Sequence, residues 1–192
     1  MNMDVRHRTV PSRPSLLQTA TEVLVADPGA SLADVARAAG IGRTTLHKLY
    51  PTRHALLLAL AEDALDQLER TYREVGLDAP GHEFPSVLGR LVTALLPLGA
   101  RMEFLFRERS LDAEAGLMAR LDVLDAPVRE LVGRAVSAGV LRADLPADWV
   151  VAALNSLVYS AWEQVSLGRL APVAAPGMVL TTLLDGAGAR DG

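Results

Sequence analysis

Apolar positions recur along nearly the whole chain at the three- and four-residue spacing of helices, and no alternating stretch of useful strand length interrupts them. From about Arg13 to Ala26, Leu16, Leu17, Ala20, Val23 and Leu24 form one stripe, which Asp27-Pro28-Gly29 ends. Leu32, Val35, Ala36 and Ala39 form a second face, stopped by Gly40. Leu46 and Leu49 supply the inner side of a helix from about Gly42 to Tyr50. Pro51 and Thr52 then open a long helix to Val75, with Leu56, Leu57, Leu60, Ala64, Leu65, Leu68 and Tyr72 in its stripe. After a loop over 76–85, the pattern predicts helices at about 85–98, 100–109, 112–138, 146–168 and 172–187, with Pro127 kinking or restarting the third of these. The expected fold is all-α: a three-helix head containing a helix-turn-helix, then a larger helical body.

The segment SLADVARAAGIGRTTLHKLY, Ser31 to Tyr50, carries the chemistry. Ser31 can cap its first helix, with Asp34 placing an acid in the first turn. Ala36 is small enough for two helices to cross steeply, and Gly40 can take the left-handed conformation that a sharp corner needs. The outer face of the second helix carries Arg43, Thr44, Thr45, His47 and Lys48, donors suited to phosphates and base edges. Short helix pairs around a glycine also occur in proteins that bind no nucleic acid, so the surrounding chain has to arbitrate.

It does so first by charge. The net charge is −4, yet residues 1–60 hold seven basic and four acidic side chains, while the remainder holds 12 and 19. A basic pole at the motif and an acidic body orient the molecule toward a polyanion. Arg6, Arg8 and Arg13 form either a minor-groove arm or a plain tail. Half of the 192 residues are apolar but only 4% are aromatic, so the core must be built of Leu, Val and Ala. The absence of cysteine excludes disulfides and thiolate metal sites. His7, His47, His54 and His82 lack metal-ligand spacing, and no nucleophile elbow or glycine-rich phosphate loop is present. The expectation is a protein without cofactor, metal or enzymatic activity. No secretory signal and no apolar run of membrane-spanning length is found, so a cytoplasmic location away from membranes is expected.

Trp149 to Trp162 is apolar nearly all round, which predicts burial on two sides, the second by another subunit. Three regions follow: residues 1–50 as arm and helix-turn-helix, 51–76 as connecting helix, and 77–192 as regulatory and dimerisation region.

Over residues 15–60 this order of parts resembles the tetracycline-repressor (TetR) family of transcriptional regulators. The resemblance rests on Ser31, Ala38-Ala39-Gly40, the run Arg43 to Tyr50, and Pro51-Thr52-Arg53-His54-Ala55-Leu56 opening a long helix. The chain departs from the family pattern at Gly42, Thr44, His47, Leu49 and Tyr50, where Ser, Gly, Tyr, Tyr and Phe are usual. The resemblance implies a DNA-binding regulator, a repressor on a palindromic operator, acting as a homodimer with half-sites roughly 34 Å or somewhat more apart. It implies that Ser31, His47, Tyr50 and Arg53 hold phosphates while Arg43, Thr44, Thr45 and Lys48 read or flank bases. It implies a dimer seam using Val151, Leu154, Val158, Val165, Val179, Leu180, Leu183 and Leu184. A small, largely apolar effector would release the DNA from a pocket drawn from Leu88, Leu91, Leu95, Met102, Phe106, Met118, Leu121, Asn155, Tyr159 and Trp162. The alternative is a helical dimer that binds a protein partner and no specific DNA.

Overall fold

The computed structural model describes residues 12–77 and 84–187. Arg6 and Arg8, expected as a basic arm, lie outside the described residues, and Arg13 is the first residue of helix α1. Among the described residues the order is α1 (Arg13–Ala26), α2 (Leu32–Ala38), α3 (Arg43–Leu49), α4 (Arg53–Val75), α5 (Phe84–Leu95), α6 (Gly99–Arg107), α7 (Ala115–Ser137), α8 (Ala147–Ser166) and α9 (Ala175–Ala187), with short 3-10 turns on either side of α6.

The boundaries follow local chemistry. Ser31 and Asp34 form a complete capping box: the Ser31 hydroxyl oxygen accepts from the Asp34 amide at 3.3 Å, and the Asp34 carboxylate accepts from the Ser31 amide at 2.9 Å. Thr52 caps α4 by accepting from the Ala55 amide at 3.0 Å. Gly40 takes φ +69° at the corner between α2 and α3, and Gly76 takes φ +66° where α4 stops. Pro127 does not restart a helix: α7 runs through it from Ala115 to Ser137. A proline there leaves the carbonyl of Val123 without its amide partner, and Val123 is on the solvated side, where water can serve.

One apolar core runs from the head into the body. Leu16, Leu17, Ala20, Leu24, Val35, Ala36 and Leu46 close the three-helix head, and α4 contributes Leu56, Leu60, Ala61, Ala64, Leu65 and Leu68 to both parts. Leu49, expected inside, is 54% exposed. α3 ends at Leu49, and the inner position below Leu46 is filled by Tyr50, which is buried.

α4 packs on α1 in the head and on α5, α6 and α7 in the body, while α6 also reaches back to α1. Polar ties reinforce this joint. Arg101 on α6 donates through Nε to Asp63 on α4 at 2.9 Å, with both side chains nearly buried. Arg120 on α7 pairs with Asp66 at 2.5 Å and Glu69 at 3.1 Å on α4. His54, in the first turn of α4, meets Glu114 at the start of α7 at 3.0 Å.

Candidate functional site

α3 presents its donors on one surface because seven helical residues place Arg43 beside His47 and Thr44 beside Lys48, each pair one turn apart. All four are exposed, Thr45 is half-buried at the edge, and Leu46 on the opposite side anchors the helix in the head. The surface is thus a rigid, positively charged, donor-rich strip about 10 Å long, of a size that enters a DNA major groove. No side chain caps α3 at Gly42.

The residues expected to hold phosphates divide differently. His47 is exposed on the same strip as Arg43, Thr44 and Lys48. The Ser31 hydroxyl donates to Asp34 at 2.6 Å, so its proton is used within the cap. These hydrogen bonds with Ser31, aided by Arg37, hold the Asp34 carboxyl below the usual range. Tyr50 is buried as a core residue. Arg53 is turned inward, its guanidinium donating to the carbonyl of Ala30 and, at 2.6 Å, to that of Pro28. Those carbonyls belong to the turn between α1 and α2, where no helix supplies donors, so Arg53 staples the start of α4 to that turn.

In the body, Leu88, Leu91, Leu95 and Met102 are fully packed core. Met118 and Leu121 line a small cleft of about 30 Å³ with Leu65, Leu105, Leu111 and Leu117. Asn155, Tyr159 and Trp162 lie on the flank of α8, half-buried, and Phe106 of α6 is 49% exposed beside them. The Phe106 and Tyr159 rings meet edge to face with centroids 6.2 Å apart, and Tyr159 and Trp162 lie 6.1 Å apart. Trp162 lies on Gly99 at the start of α6, where a β-carbon would sit 1.8 Å from the indole.

Residue periodicity missed Glu103, which is buried between the flagged positions Met102 and Phe106. It pairs with Arg107 one turn on. Burial pushes the Glu103 carboxyl above the usual range, Arg107 pulls it back, and Glu163 of α8 pushes it up again. Burial, then the charges of Glu103 and Glu163, also raises the Tyr159 phenol. A glutamate with an arginine four residues later reads as a solvated surface pair, so only its apolar setting could have flagged it.

The residues expected at a subunit seam are largely satisfied within one chain. Val151, Leu154, Val158, Val179 and Leu183 are buried, and Val165, Leu180 and Leu184 are half-buried against the core. The reason is that α8 lies against α6, α7 and α9, and α9 against α5, so their apolar stripes are already covered. The uncovered side of α8 instead carries Trp149, Ala152, Ser156 and Ser160, and that of α9 carries Met178, Thr181 and Asp185.

Among the described residues, no helix is long and apolar enough to cross a membrane, and no group of three or more His, Cys, Asp or Glu could hold a metal ion.

No family profile matches the chain. It is 32% identical over 163 residues to the HTH-type transcriptional repressor LfrR of Mycolicibacterium smegmatis, covering 85% of this chain and 82% of that protein. The crystal structure of the TetR-like transcriptional regulator LfrR from Mycobacterium smegmatis in complex with proflavine superposes with a TM-score of 0.74 at 29% identity, over 92% of this chain and 97% of that one. The ketosteroid transcriptional regulator KstR2 of Mycobacterium tuberculosis shares the fold at a TM-score of 0.71 and 19% identity, over 95% of this chain and 98% of that one. A donor-bearing α3 on a three-helix head, a long α4 into a helical body, and these likenesses lead to one conclusion: the chain belongs to the TetR-like family of transcriptional regulators.

Proposed function

We propose that this regulator is a repressor that binds a palindromic operator as a homodimer and is released by a small aromatic ligand in the body. The observation that carries the reading is the exposed strip of Arg43, Thr44, His47 and Lys48 on a helix whose other side, at Leu46, is locked into the head. In this reading those four residues, with Thr45 at the edge, meet bases and phosphates, while Ser31, Tyr50 and Arg53 hold the head in shape.

The dimer seam is assigned to the uncovered sides of α8 and α9. Ala152, Ser156 and Ser160 allow close helix approach, and Trp149 and Met178, 64% and 56% exposed, supply apolar area that one chain leaves uncovered. A two-fold operator requires a seam that leaves both heads on one side of the assembly. The ligand is assigned to the flank of α8 facing α6, where Phe106, Tyr159 and Trp162 meet. Support for an aromatic ligand comes from the relative LfrR, whose structure was determined with proflavine. Because α6 also touches α1 and α4, a change beside it can alter the head spacing, and the ligand acts through its differential affinity for the two spacings.

The test is a mobility shift with fragments of the gene's own promoter and adjacent intergenic DNA. The reading expects a competitor-resistant complex that proflavine dissociates. Binding that is equally weak on all sequences would favour a protein-partner role for the uncovered α8 and α9 side.

A further inference from the structure

Among the donors of the α3 strip, Arg43 and Lys48 carry a fixed charge and Thr44 carries none, while His47 belongs to the one residue type that ordinarily gains or loses its charge between pH 5 and 8. Helical spacing places His47 one turn after Arg43 along one edge of the strip, with Thr44 in the middle and Lys48 at the other edge, and all four are exposed. A helix lying in a major groove turns its middle to base edges and its margins to the walls of the groove, so a donor at the margin meets phosphate.

No acid of the head answers a charge at that position. Glu22 of α1 accepts from Gln18 at 2.6 Å, and Asp27 accepts from the Gly29 amide at 2.9 Å. On α2, the helix packed against α3, Asp34 accepts from the Ser31 amide at 2.9 Å and pairs with Arg37 at 2.9 Å. In the first turn of α4, Arg53 holds the carbonyls of Ala30 and Pro28, and His54 meets Glu114 at 3.0 Å. The contrast between the two histidines is informative. A charge on His54 finds its counter-charge inside the chain, whereas among the described residues no carboxylate pairs with His47.

A proton on His47 adds a third cation to Arg43 and Lys48 on a helix of seven residues. Phosphates stabilise that charge in a complex with DNA, and in the free head no acid does. A group that holds its proton more tightly in a complex than in the free protein makes binding tighter as pH falls. That gain is lost as pH rises through the range in which the bound group gives up its proton.

We propose, resting on the DNA reading above, that His47 makes operator binding proton-linked: each α3 takes up a proton there as His47 donates to a backbone phosphate. The regulator then has two inputs on different parts of the molecule, a ligand in the body and pH at the DNA face, and acid strengthens its hold on the operator.

The test is fluorescence anisotropy of a labelled promoter fragment at pH 6.0 and 8.0, each at several salt concentrations, with the parent, His47→Gln, His47→Arg and His54→Gln. Circular-dichroism melts confirm folding at both pH values. The parent should bind at least about tenfold more tightly at pH 6.0 than at pH 8.0. Its logarithmic salt slope should be steeper at pH 6.0 by about 1.8, two phosphates at roughly 0.9 each, one per subunit. His47→Gln keeps a donor without a charge and should bind within about twofold equally at both pH values, with the shallower slope. His47→Arg should be equally indifferent to pH but keep the steeper slope throughout. His54→Gln should behave as the parent does. Glu103 and Asp125, whose carboxyls burial raises above the usual range, are common to all four proteins and cannot produce a difference that follows residue 47. A histidine that only shapes α3 would change affinity by the same factor at both pH values when replaced. That result, a parent indifferent to pH, a salt slope that does not change with pH, or a pH dependence that follows His54 would each overturn the proposal and leave the DNA reading standing. Absence of a competitor-resistant complex at either pH would remove the DNA reading and the proposal with it.

Discussion

At Gly42 a single missing side chain leaves α3, the helix proposed to face DNA, without a side-chain cap. Its backbone, φ −73° and ψ 146°, is already that of an N-cap, and a β-carbon there would meet only Thr45 Oγ1 at an ordinary 3.7 Å. Gly42→Ser is therefore expected to stabilise the protein by roughly 0.5 kcal/mol through a new cap, read as a higher urea midpoint. Gly40→Ala should do the reverse, costing about 1–2 kcal/mol, because φ +69° forces a β-carbon into the left-handed region even though space is open around it. Glu103 gives a pH signature. Its folded-state affinity for a proton is raised by burial, so the folded chain holds a proton longer than the unfolded chain and stability falls as pH rises through that interval. Glu103→Gln removes the burden: its melting temperature should equal or exceed the parent's at pH 7.5, and the gain should vanish below the ordinary carboxylate range. A loss at pH 7.5 that persists in acid would contradict this.

Among elements, α6 couples the most surfaces for its nine residues. It touches α1, α4 and α8, and its Arg101 holds Asp63 of α4 in a nearly buried pair. Asp63→Asn strands that guanidinium, and the expected cost is roughly 3 kcal/mol or more, measurable by denaturant unfolding. Gly99→Ala drives a β-carbon into the indole of Trp162, so Trp162 should leave its seat and tryptophan emission shift to the red, toward that of the exposed Trp149. The helices themselves were legible in the sequence because apolar spacing and terminal residues such as Ser31, Gly40 and Gly76 act locally. What was not legible depends on partners distant in sequence. Nothing near Arg53 signals that the carbonyls of Pro28 and Ala30 will claim it, and nothing in the stripe of α8 reveals that α6, α7 and α9 cover Val151, Leu154 and Val158. Leu49 was misplaced for a related reason: α3 stops after seven residues, and Tyr50 outside the helix fills the inner position.

For the molecule as a whole, a donor-rich α3 on the head and a long α4 running into the helical body give the proposed function its mechanical basis, in which ligand chemistry in the body governs contact with DNA. The proposed function turns on recognition of a specific DNA sequence by the α3 strip. The most direct measurement is fluorescence anisotropy of a labelled promoter fragment against the parent protein and Arg43→Ala/Lys48→Ala, at several salt concentrations and with unrelated competitor DNA. The parent complex should resist competitor and weaken steadily with salt, and the double variant should stay folded, as helix surface substitutions permit, but lose at least about 100-fold in affinity. A folded double variant that binds the promoter as tightly as the parent, with the same salt dependence, would contradict it.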